Sequence, residues 1–192
     1  MKNYVIAVVI ILFSACNTAT KKKIIATENK GEEKSNFFPV TSYLKGQVHE
    51  IKEKGLTPIK YTTINNHTDS VLIKFETLDE LVKEFLQPEI DTANLISFFT
   101  ETKFLDQTID AFTFTYEPKP QMPDSLTLQQ WDVYIDPTTS KVKRVYIIKK
   151  NSENKTLQLT WQSNLWCKTT TIINNADGIS VIEKEEKISW AY

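Results

Sequence analysis

The sequence predicts an α+β fold: N-terminal helices and a β-hairpin, followed by a five- to six-strand antiparallel meander sheet. Three observations predict it. Apolar residues recur at helical spacing just after Pro39. From Ala111 onward the period changes to two, with apolar and polar side chains alternating. Turn-forming clusters separate the alternating runs, and such alternation belongs to antiparallel strands with one face buried and one wet.

Taken in order, Pro39 suits a first helical turn, and Val40, Leu44, Val48 and Ile51 form one apolar stripe that Gly55 stops. Residues 59–64 and 71–75 are β-rich runs around a five-residue loop at 65–69, which reads as a hairpin. Thr77-Leu78-Asp79-Glu80 has the form of a capping box, with Leu78, Leu81, Val82 and Phe85 as the buried face of its helix and Pro88 as its end. Asp91 is placed to cap a second short helix carrying Leu95, Phe98 and Phe99.

The meander follows. Phe112, Phe114 and Tyr116 alternate with Thr113 and Thr115, and Trp131, Val133 and Ile135 alternate with Asp132 and Tyr134. Asp136-Pro137-Thr138-Thr139-Ser140 turns the chain into a strand over 142–148. Leu157, Leu159 and Trp161 alternate with Thr156, Gln158, Thr160 and Gln162, and strands over 166–173 and 179–190 complete the sheet. The helices are expected to cover its apolar face.

The chain begins with Lys2 and Asn3, an unbroken apolar run from Val5 to Phe13, two small residues and Cys16. Nine apolar residues fall far below the roughly 20 that span a bilayer as a helix, so the run reads as a signal-peptide core. Leu12-Phe13-Ser14-Ala15-Cys16 resembles the lipobox of bacterial lipoproteins, with Phe13 where Leu is more usual. That resemblance implies removal of residues 1–15, a diacylglycerol thioether on Cys16 and an N-terminal lipid anchor in the membrane. Asn17 stands where an Asp retains many lipoproteins at the inner membrane, which implies outer-membrane sorting. Lys21, Lys22 and Lys23 precede Glu32 and Glu33, which favours the periplasmic face over surface export. As a whole the chain resembles uncharacterised envelope lipoproteins of Gram-negative bacteria.

Residues 16–36 then form a polar tether on the lipidated cysteine, and 37–192 a single domain. The whole chain carries 23 basic and 24 acidic residues. Six of the basic and three of the acidic ones precede residue 37, so the domain is moderately acidic and retains one arginine, Arg144. Nothing in that balance suggests a nucleic-acid partner.

Chemistry is sparse. His49 and His67 are the only histidines, no metal-ligand spacing accompanies them, and no cofactor motif or catalytic constellation stands out. Cys167, mid-strand, reads as a core thiol. Asp132 with Asp136 and Asp79 with Glu80 are carboxylate pairs without further signature. The run 183–187 reads as a charged strand face guarding a sheet edge. Lys141, Lys143 and Lys149 are expected to share one face. The segment 131–142 is similar to the strand–turn–strand of PepSY-type modules, with Ser140 where a turn glycine is usual, and carries no activity with it.

The candidate interaction face is Thr156, Gln158, Thr160 and Gln162, a flat polar surface able to meet another protein or a glycan, with an envelope protein as the expected partner. The expected function is therefore a membrane-tethered, non-enzymatic lipoprotein acting through protein contacts. The alternative is a carrier of lipid or another small apolar ligand in a concave sheet rich in aromatic residues.

Overall fold

The described residues form nine strands, and all nine join one sheet. The structure is a computed structural model that describes residues 37–190, which fall within one compact unit. The strands are β1 (Ile59–Ile64), β2 (His67–Leu72), β3 (Phe99–Asp106), β4 (Ala111–Pro118), β5 (Leu128–Ile135), β6 (Val142–Ser152), β7 (Lys155–Gln162), β8 (Trp166–Asn174) and β9 (Ser180–Ser189). Their order is β2-β1-β9-β8-β7-β6-β5-β4-β3, with every neighbouring pair antiparallel. The signal segment, Cys16 and the tether over 16–36 lie outside the described residues.

The α+β expectation is overturned. The domain is mostly one nine-stranded antiparallel sheet, with a single long helix, α1 (Val40–Glu53), and short turns in place of N-terminal helices. In α1 the expected stripe holds: Val40, Leu44, Val48 and Ile51 are buried. Gly55, at φ 62°, ends it in a Schellman motif: its amide bonds to the Lys52 carbonyl and the Leu56 amide bonds to that of Ile51.

The second helix breaks up because its capping box does not form. A 3₁₀ turn (Phe75–Thr77) begins early and leaves Thr77 in a helical conformation. Its hydroxyl donates back to the Lys74 carbonyl at 2.8 Å instead of receiving an amide. Two single turns follow, α2 (Leu78–Leu81) and α3 (Lys83–Leu86), interrupted at Val82. Asp91 does accept the Asn94 amide at 2.9 Å, but α4 (Thr92–Leu95) is only one turn long. Phe99, expected on that helix, opens β3 instead.

The hairpin is also tighter than expected. Asn65 and Asn66 both take positive φ, 49° and 64°, so two residues make the turn and His67 enters a strand. β1 then pairs with β9, which ties the hairpin into the sheet. The charged run 183–187 consequently sits inside the sheet between β8 and β1 and guards no edge.

Register places the core. Val133, Val145, Trp161, Cys167 and Ile188 face one another across five strands, and Tyr116, Trp131, Ile147 and Leu159 form the next line. All are at most 4% exposed, and the helical segments pack on this face with Phe85 edge-on to Trp161 at 5.4 Å. Tyr116 stacks on Trp131 at 4.5 Å, with Phe37 and Phe99 meeting the indole edge-on. Lys149, expected on a shared basic face, is buried here, and its ammonium donates to the Glu84 carbonyl and carboxylate. It clamps α3 to the sheet.

Candidate polar interaction face

The opposite face of the sheet is left uncovered by the described helices, and β7 lies at its centre, fifth of nine strands. Leu157, Leu159 and Trp161 turn to the core, so Thr156, Gln158, Thr160 and Gln162 must turn outward together. The structure therefore brings all four predicted residues onto one strand face, each half-buried between the side chains of β6 and β8.

Neighbours extend that strip into rows. Thr115, Asp132, Tyr146, Thr160 and Lys168 lie opposite one another in one row. Tyr134, Arg144, Gln162 and Trp166 make the next. Arg144 donates from Nε to Gln162 Oε1 at 3.2 Å and lies 5.5 Å from the Tyr134 ring centroid. Asp132, only 6% exposed, accepts from the Tyr134 hydroxyl at 3.3 Å and from Gln130 Nε2 at 3.3 Å. Burial, then the Asp132 charge, pushes the Tyr134 phenol up to about 12. The same two causes raise Tyr146. Both phenols are therefore neutral hydrogen-bonding groups at physiological pH.

Sequence reasoning missed Asp132, Tyr134, Arg144 and Tyr146 as parts of this face. The signal was present in the strand alternation of β5 and β6, but assigning it to this side needed the register between strands. Lys168 and Thr170 donate to Glu185 Oε1 at 2.7 and 3.1 Å, and the Lys168 bond comes first among the causes that hold this carboxyl below its usual range.

The remaining candidates disperse. His49 is exposed on α1, and His67 is exposed on β2 beside Asp69 at 3.5 Å. Cys167 is 1% exposed, and burial pushes its thiol far up, which removes the thiolate that nucleophilic chemistry requires. Asp136 does not join Asp132. It accepts the Thr138 and Thr139 amides at 2.9 and 2.7 Å and shapes the β5–β6 turn, where Ser140 adopts the positive φ, 55°, that a glycine would favour. Asp79 pairs with Lys52 and Glu80 with Lys83, so that carboxylate pair has separate partners. Among the described residues no three of His, Cys, Asp and Glu converge as a metal site, and no helix is long and apolar enough to cross a membrane.

What this arrangement offers chemically is recognition: fixed carboxamide, hydroxyl, phenol and guanidinium groups on a stiff sheet. No family model, curated protein or solved structure matches the chain.

Proposed function

We propose that the chain is a lipid-anchored envelope protein, held through Cys16 at the periplasmic face of the outer membrane, that works by contact and not by catalysis. Its partner is an envelope protein that lies across the uncovered sheet face centred on Thr156, Gln158, Thr160 and Gln162. One observation carries the reading: a continuous polar and aromatic surface on the middle strands of the sheet, with half-buried, mutually bonded side chains and no covering element among the described residues. Arg144, Gln162, Tyr134 and Asp132 are already ordered by these bonds, so a partner pays little to fix them. The apolar-carrier alternative has no comparable support, because Trp131, Trp161, Tyr116 and Phe85 fill the space between helices and sheet.

Photo-crosslinking tests the contact. A photoreactive residue at position 158 or 160 is expected to give one discrete protein adduct in cells, and the same residue at exposed Glu50 on α1 is not. Identical adduct patterns from both faces would sink the assignment. Cys16→Ala tests the anchor separately, with loss of palmitate labelling and of membrane retention expected.

A further inference from the structure

The outer edge of β3 carries an unpaired row of backbone donors and acceptors among the described residues, since β4 is its only neighbour. Natural sheets blunt such edges with bulges, shortness or inward charge. β3 has none of the first two: its register with β4 runs through eight consecutive pairs without a shift. It also exposes Phe104 and Leu105, each 47% exposed, on opposite faces. The other edge strand, β2, is shorter, with Thr68, Asp69 and Ser70 at its middle.

We infer that β3 pairs antiparallel with β3 of a second copy of this chain, about a two-fold axis through Thr102. The sequence is self-complementary in that register. On the helix-covered side Phe99 meets Leu105 of the second copy and Glu101 meets its Lys103, and the two-fold repeats both pairs. On the open side Thr100 meets Phe104, and Thr102 meets its own counterpart. Apolar, opposite-charge, aromatic–β-branched and Thr–Thr pairs are each favourable across antiparallel strands. Moving the axis by one residue in either direction, with both helix layers kept on one side, sets Lys103 against Lys103 or Glu101 against Glu101. Charge thus selects one register. Lys103 already pairs with Glu101 of its own strand at 2.7 Å, and this register sets the two pairs head to tail, so that each ammonium meets a carboxylate on both strands. The interface is isologous and closes after two copies, which uses up the edge and prevents open-ended growth. It leaves the polar face centred on β7 untouched, so it stands independently of the contact proposed there.

Thr102 on the axis makes the test sharp, because a cysteine there lies opposite itself. Antiparallel partners sit about 4.5–5.5 Å apart at Cα, within disulfide range. The full chain carrying Thr102→Cys, oxidised with copper–phenanthroline, is expected to run as a disulfide-linked dimer on a non-reducing gel. Ser70→Cys on the β2 edge is the control, Cys16 is replaced by alanine in every chain tested, and Cys167 is buried and contributes no background. Adding Lys103→Glu to Thr102→Cys sets glutamate against Glu101 twice and should cut the dimer yield about tenfold, with an unchanged circular dichroism spectrum. A yield from Ser70→Cys equal to that from Thr102→Cys, a dimer insensitive to Lys103→Glu, or an adduct of Thr102→Cys to a different protein would each overturn the second-copy assignment. So would a monomer in every variant.

Discussion

The two faces of β7 differ by one residue of offset and by everything that follows from it. Leu157, Leu159 and Trp161 are 8%, 0% and 0% exposed and belong to the core that the helical segments share, while Thr156, Gln158, Thr160 and Gln162 stay half-buried on the opposite face. One side of the strand holds the fold together and the other is free to be recognised. A slip of register by one residue would exchange the two roles, which is why the aromatic core must specify register strongly. The difference teaches where substitutions should act on stability and where they should act on contact alone.

The largest effect should follow Trp161→Ala, which empties a fully buried site against Phe85 and Trp190. A loss of about 3–5 kcal/mol is expected by chemical denaturation. Trp161→Phe sharpens the point. The Trp161 indole N–H has no acceptor among the described residues, so phenylalanine loses volume but also removes an unpaired buried donor. Its cost should be clearly below that of alanine, and equal costs would show that a phenyl ring does not fill the site against Phe85 and Trp190. Next comes Lys149→Met. It keeps the buried stem but deletes the ammonium bonds to Glu84, whose carboxylate is left half-exposed and solvated, at about 1–2 kcal/mol.

On the other face, Gln158→Ala with the photoreactive residue at 160, and Thr160→Ala with it at 158, should each change stability by no more than about 0.5 kcal/mol while lowering the yield of the partner adduct. A stability loss as large as that of Lys149→Met would mean that the polar face is structural, and the comparison between faces would collapse.

Much of this contrast is readable in the sequence. The α1 stripe from Val40 to Ile51 and the alternation in β7 are strong periodic signals, each arising from a single segment. Signals that depended on competition failed. Thr77 had a capping-box partner in Glu80, but its hydroxyl found the Lys74 carbonyl first. Phe99 to Asp106 lacks clean alternation because Glu101 and Lys103 share the core-facing side, where they neutralise each other. Asn65-Asn66 holds two positive-φ positions that a five-residue loop conceals. The candidate site was half legible for the same reason. β7 alone gave its own four residues, but Asp132, Tyr146 and Arg144 join them only through inter-strand register, a long-range property that no local pattern encodes.

The smallest effect tests the electrostatics of the open face. Glu185 accepts from Lys168 and Thr170 there, and these bonds favour its ionised form over that in the unfolded chain. Because the folded carboxyl titrates below its unfolded value, the unfolded state binds the proton first as pH falls. The stabilisation is therefore fully present above the ordinary glutamate value of about 4.3 and drains away below it, as pH passes through the depressed folded value. Glu185→Gln should lower the melting temperature slightly at neutral pH and not at all at the acid end, so that the two curves converge. Added salt should shrink the neutral-pH gap, since the pair is partly exposed. A gap that stayed constant with pH and salt would mean that the substituted carboxamide fails by packing, and the Lys168–Glu185 pair would then belong to the structural side of the comparison.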